Sequence, residues 1–215
     1  DGGGGGGGGN GSGGRGGDEL ALYAVFDGHA GLSASRYCAQ NFAAAVRRVL
    51  REGNGDGDVT TALAAAFTTL DTDFAAYSTT LDPMERHCGT TALAVAVDDV
   101  ARVVHVANVG DTRAVLCRGG VALRLSTDHK PLDDVQRIRA AGGHVTGTDV
   151  HRVNGTLGVA RSIGDNFMRP YVVCEASTNR VALTDEDEFI IAACDGVWDE
   201  LDDQMAVDVV RAALR

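Results

Sequence analysis

The chain has 215 residues, 44% hydrophobic and 23% charged with three prolines, the composition of a folded protein long enough for one well-buried core. Thirty acidic residues against nineteen basic ones leave a net charge of −11, which opposes binding to nucleic acid or to an anionic membrane surface. No apolar run nears the ~20 residues of a membrane span and no signal peptide is visible, so neither a nucleic-acid nor a membrane partner is expected.

Thirteen of the first seventeen residues are glycine. Such a tract buries too little surface to offset its chain entropy, and residues 1–17 read as a flexible loop or linker ahead of a domain over 18–215. The tract contains G-x-G-x-x-G, but it does not join a strand to a helix, and the dinucleotide-binding reading fails on that context. Leu20 to Phe26 is a short apolar run with charge before it and Asp27-Gly28 after it, the pattern of a buried strand. Tyr37, Phe42, Val46, Val49 and Leu50 recur at helical spacing and predict a helix over 33–51. A second helix is predicted over 59–77, where Asp58 can cap the first turn and Leu63, Phe67, Leu70 and Phe74 recur at three and four residues. Apolar runs over 90–97, 102–108, 112–117 and 121–125, joined by Asp98-Asp99, Gly110-Asp111 and Gly119-Gly120, predict consecutive antiparallel hairpins. A short helix over 133–141, strands near 150–153, 156–161 and 188–194, and an amphipathic helix over 205–214 complete an α+β chain.

Three aspartates stand where apolar strands run into glycine-containing turns: Asp27, Asp111 and Asp195. Any one of them alone reads as a turn aspartate. Together, at the mouths of buried strands, they suit a hard cation such as Mg²⁺ or Mn²⁺, which prefers oxygen ligands. His29 lies two residues after Asp27, where an imidazole could donate a proton to a leaving oxygen. The other histidines, His87, His105, His129, His144 and His151, show no ligand spacing and are assigned to structure or solvent. The five cysteines are widely spaced with no C-x-x-C pair, the pattern of buried reduced thiols in a cytoplasmic or nuclear protein. There is no G-x-S-x-G, H-E-x-x-H or phosphate-loop motif.

In order, the chain carries Asp27-Gly28-His29-Ala30-Gly31, Cys88-Gly89-Thr90-Thr91-Ala92, Asn108-Val109-Gly110-Asp111-Thr112-Arg113 and Asp128-His129-Lys130-Pro131. It continues with Arg152-Val153-Asn154-Gly155, Ala160-Arg161-Ser162-Ile163-Gly164-Asp165 and Asp195-Gly196-Val197-Trp198-Asp199. This ordered set, spread over 20–215, resembles the protein phosphatase 2C family. The resemblance implies two packed antiparallel sheets flanked by helices, an αββα sandwich, with a two-metal centre in a cleft at one end. It implies that Asp27 bridges two Mg²⁺ or Mn²⁺ ions, that the Gly28 carbonyl and Asp195 are further ligands, and that Asp111, Asp195 and Asp199 hold a weaker third ion. It also implies direct attack of a metal-activated water on phosphoserine or phosphothreonine of a protein substrate, with His29 as general acid, in a monomeric catalytic domain.

Two departures stand against that pattern. The family's opening strand carries a phosphate-binding arginine and a Glu-Asp pair, neither of which occurs in residues 1–17, and its closing Gly-Ser/Thr-x-Asp-Asn segment does not occur before Arg215. The domain is therefore expected to be partial at both ends, with its phosphate-binding residue unassigned. The segment between Asp165 and Asp195, where relatives carry a flap beside the substrate, also looks short. The alternative these departures motivate is a catalytically impaired phosphatase-like module that binds or regulates.

Overall fold

The computed structural model describes residues 20–52 and 58–215; the glycine tract lies outside them. In chain order the first elements are β1 (Leu20–Val25), β2 (Gly28–His29), α1 (Ser33–Glu52) and α2 (Val59–Ser78). Next come β3 (Gly89–Thr90), β4 (Ala92–Asp98), β5 (Val103–Val109), β6 (Arg113–Arg118), β7 (Val121–Arg124) and α3 (Val135–Ala140). The chain closes with β8 (Val145–Thr146), β9 (Arg152–Val153), β10 (Ile163–Gly164), a 3₁₀ turn (Asn166–Met168), β11 (Ser177–Ala182), β12 (Asp187–Ala193), α4 (Asp195–Trp198) and α5 (Asp203–Ala213).

Two antiparallel sheets form the centre, one ordered β1-β4-β5-β11 and the other β12-β6-β7. The alternation of β4 explains how four layers assemble. Ala92, Ala94 and Ala96 point to one side and, with Ala107 and Val109 of β5, meet Cys38, Phe42, Leu63, Phe67 and Leu70 from α1 and α2. Leu93 and Val95 point to the other side and pack with Val104 and Val106 against Ala114, Leu116 and Ile190 of the second sheet. The far face of β6, Val115 and Cys117, takes Trp198, Ala206 and Val207. Period-two alternation thus gives a helix–sheet–sheet–helix stack, with small alanines where the aromatic rings of the helices need room. Each fully buried leucine or phenylalanine, such as Leu63 or Phe67, contributes roughly 1.5–3 kcal/mol relative to exposure.

Asp58 caps α2 as its position suggested, its side chain accepting from the N–H groups of Thr60 and Thr61. Phe42 and Phe67 stack across the two helices with ring centroids 5.7 Å apart. The strand expected over 156–161 does not form. Asn154 and Gly155 take left-handed backbone angles (φ 49° and 70°), the chain turns back on Val153, and only isolated bridges remain, Val153 with Leu157 and Arg161 with Val173. The segment between Asp165 and Asp195 carries β11, which pairs in full register with β5 from Ser177–Asn108 to Ala182–Val103. Its sequence, Ser-Thr-Asn-Arg-Val-Ala, lies mostly half-buried or exposed at the sheet edge and offers no apolar alternation.

Candidate active site

β1 ends at Val25, and two residues later the Asp27 carbonyl accepts from the Thr91 N–H at 2.9 Å. This bond fixes Asp27 beyond the strand end. β2 then pairs with β3, Gly28 opposite Thr90 and His29 opposite Gly89. A Cβ on Gly28 would lie 2.5 Å from the Ser35 hydroxyl and 3.0 Å from the Ser35 Cβ at the start of α1, so a larger residue would crowd this close approach of the helix. From the second sheet, β12 runs out at Ala193, and Cys194 and Asp195 follow into α4.

Asp27, Gly28, His29, Asp111, Asp195 and Asp199 all line one cavity of about 560 Å³. Within it, ligand atoms of Asp27, Asp195 and Cys194 lie within 4.8 Å of one another. Asp111 and Asp199 stand on the cleft walls outside that tight trio. Asp111 is buried, whereas the side chain of Asp199 is 63% exposed and lies 3.5 Å from Lys130. All six expected positions therefore face one cleft, in which Asp27 and Asp195 form a close pair of carboxylates and Asp111 and Asp199 stand apart from it.

The electrostatics are those of crowded negative charge. Burial, then the neighbouring Asp195, pushes the Asp27 carboxyl above its ordinary range. Burial and Asp195 push Asp111 further, up to about 6, with Lys130 opposing the rise. For His29, burial pushes the imidazole pKa down, but the hydrogen bond and charge of Asp165, followed by Asp27 and Asp111, outweigh it and leave a net rise.

Backbone at the second wall is set by His129. It is buried, its Nδ1 accepts from the Gly110 N–H at 3.1 Å, and its own N–H donates to the Gly110 carbonyl at 2.9 Å. Burial, then Arg161, pushes its pKa down to about 4, which keeps the ring neutral. Gly110 holds φ 103°, and a Cβ there would sit 2.6 Å from Thr91 Cγ2; this backbone aims Asp111 into the cleft.

Three features escaped the sequence. Asp165, which lies in one of the recognised strings but had no role, is hydrogen-bonded to His29 at 2.7 Å. Cys194 is half-buried beside the carboxylates, not one more core thiol. His151 and Arg152, with Lys130, line the same cleft. Adjacency to a strongly patterned aspartate signalled Cys194; Asp165, Arg152 and Lys130 stand in recognised strings, but no local spacing places them beside His29 or in the cleft. A second cavity, about 590 Å³ between the sheets against β1 and β12, is lined chiefly by apolar side chains such as Val25, Val95 and Ile190 and lies apart from these groups.

An αββα sandwich with an acidic cleft at its strand ends is the class that fold and site define. The protein phosphatase 2C profile matches residues 6–215. The chain is 40% identical over 213 residues to a probable protein phosphatase 2C 8 of Oryza sativa subsp. japonica, covering 92% of this chain and 52% of that protein. Among solved structures it is similar to a C. elegans sex determining protein, at a TM-score of 0.85 and 27% identity over 92% of this chain and 48% of that one. A phosphatase from a pathogenic strain of Toxoplasma gondii superposes at a TM-score of 0.77 with 25% identity, covering 92% of this chain and 75% of that one. The chain belongs to the protein phosphatase 2C family. It spans about half the length of the rice relative, 52%.

Proposed function

We propose that this chain belongs to the catalytic domain of a metal-dependent protein serine/threonine phosphatase, acting on phosphoserine or phosphothreonine in protein substrates. The observation that carries the reading is the meeting of Asp27 and Asp195 on one cleft, with Asp27 pushed above the ordinary carboxylate range. Two carboxylates in this position repel one another, and their oxygens are the donor type that hard divalent cations prefer. Asp27, the Gly28 carbonyl and Asp195 would hold two Mg²⁺ or Mn²⁺ ions, with Asp111, Asp195 and Asp199 available to a weaker third. Bound cations supply a lowered pKa for water and offset charge on the transferring phosphoryl group.

The chain's own residues do the rest. Lys130 and Arg152 give the cleft positive charge that can meet a phosphorylated peptide. His29, at the cleft and raised in pKa, donates the proton to the departing seryl or threonyl oxygen. We place the domain in the reducing cytoplasm or nucleus, where its five free cysteines would stay reduced, and read it as a monomeric catalytic domain.

The test is phosphate release from a phosphothreonine peptide with Mn²⁺, with Mg²⁺ and with a chelator, beside Asp27→Asn. Release that needs the cation and falls by two or more orders of magnitude in Asp27→Asn supports the phosphatase. Peptide binding with no release under any condition would support a phosphatase-like binding module instead.

A further inference from the structure

One hydrogen bond in the cleft is built from three separate parts of the chain. His29 Nε2 lies 2.7 Å from Oδ2 of Asp165, 136 residues away. Asp165 is 1% exposed, and among the described residues its ion-pair partner is His29. The Ser162 hydroxyl donates to the same Oδ2 at 2.6 Å, while Oδ1 is buried with no hydrogen-bond partner among the described residues. A buried carboxylate so thinly paired is costly to keep. Its backbone is held at φ 49°, a left-handed conformation that non-glycine residues rarely adopt.

Two neighbours enforce the arrangement. Asp71 of α2 accepts from the Gly164 N–H at 2.8 Å, and Arg169 bridges Asp71 Oδ2 at 2.7 Å and the Gly164 carbonyl at 3.2 Å. The residue before Asp165 is thereby tied to the long helix. Gly89 of β3 faces the bond itself: a Cβ there would stand 2.1 Å from Asp165 Oδ2 and 2.6 Å from His29 Nε2. Only glycine leaves space for the two groups to meet.

We propose that Asp165 is a positioning residue that acts through His29, fixing the imidazole as the Nε2–H tautomer so that Nδ1 is the nitrogen presented to the phosphoester. This rests on the reading of His29 as general acid. In that step the phosphorus–oxygen bond to the seryl or threonyl group breaks and its electron pair passes to the leaving oxygen. That oxygen takes the proton from Nδ1, and the ring is left neutral with Nε2–H still donating to Asp165. The attacking water forms the new phosphorus–oxygen bond and gives its proton to solvent, from which Nδ1 is reprotonated. A fixed acceptor on one ring nitrogen is what commits the other to chemistry.

The experiment has two arms. The first reads the His29 tautomer by ¹⁵N NMR of the metal-free chain, labelled at histidine and held above the imidazole pKa. The Nε2–H form should dominate in wild type and be lost in Asp165→Asn, whose amide can donate to Nε2. An Nδ1–H tautomer in wild type, or no change in Asp165→Asn, overturns the proposal without reference to activity. The second compares a phosphothreonine peptide, whose alkoxide needs a proton, with 2,4-dinitrophenyl phosphate, whose leaving group does not. His29→Ala should lose about 100-fold or more on the peptide and little on the dinitrophenyl ester. Asp165→Asn and Gly89→Ala should show the same split, and His29→Ala/Asp165→Asn should lose no more than His29→Ala alone. Equal loss on both substrates in Asp165→Asn, with the split intact in His29→Ala, means Asp165 is only structural. No split in His29→Ala defeats the general-acid reading and the positioning role with it. Gly89→Ala keeps both side chains, so the inference stays testable if Asp165→Asn does not fold.

Discussion

The guanidinium of Arg113 lies 5.2 Å from the ring centroid of Trp198, and the contact joins the two walls of the cleft. Arg113 follows Asp111 by two residues, and Trp198 follows Asp195 by three. Arg113 also makes a two-point pair with Asp128 and donates to Asp203 at 2.7 Å, with only 10% of its side chain exposed. Three of the chain's recognisable strings therefore meet on one buried cation.

Removing that cation should unfold the second wall first. Arg113→Ala leaves Asp128 unpaired and Asp203 with Arg124 alone, and is expected to cost about 3–5 kcal/mol in urea denaturation. Arg113→Lys should recover only part of this, since an ammonium cannot make the two-point pair.

His129 makes stability depend on acid. Its pKa is about 4 in the folded chain against 6.5 as the ordinary value, so the unfolded chain binds its proton first. Its contribution is fully present above pH 6.5 and is lost as pH falls toward 4. The loss should be on the order of 3 kcal/mol for this buried ring. His129→Asn should be less stable at neutral pH but show a flatter decline across that window, measured by denaturation at a series of pH values.

Gly110 links fold to site at a single backbone position. Gly110→Ala must accommodate both φ 103° and a Cβ 2.6 Å from Thr91 Cγ2. A loss of about 2 kcal/mol is expected in thermal or urea unfolding. Because Asp111 is the next residue, Mn²⁺ titration should show a weakened outer site while the tightest site is retained.

Local pattern was enough for much of this molecule. The run of Leu20 to Phe26, the caps and apolar spacing of α2, and the hairpins through β7 are short-range features, and each aspartate ending an apolar run declared itself beside glycine. Three features were not legible. β11 is held by backbone pairing to β5 while its side chains stay largely polar and partly exposed, so periodicity is silent. Asp165 meets His29 across 136 residues, through a clearance at Gly89 that only three-dimensional packing reveals. Residues 156–161 read as a strand by composition, yet after the left-handed turn at Asn154-Gly155 they keep only isolated bridges, Val153 with Leu157 and Arg161 with Val173, because no neighbouring strand among the described residues lies in reach of a full ladder.

The claim that Asp27 and Asp195 together form a cation site for phosphoester hydrolysis is tested most directly by calorimetric titration of Mn²⁺ into wild type and Asp195→Asn, paired with phosphothreonine-peptide turnover in the same samples. Wild type should show saturable Mn²⁺ binding with metal-dependent phosphate release, and Asp195→Asn should lose the tightest site together with at least 100-fold of the turnover. Unchanged Mn²⁺ affinity or undiminished phosphate release in Asp195→Asn would contradict it.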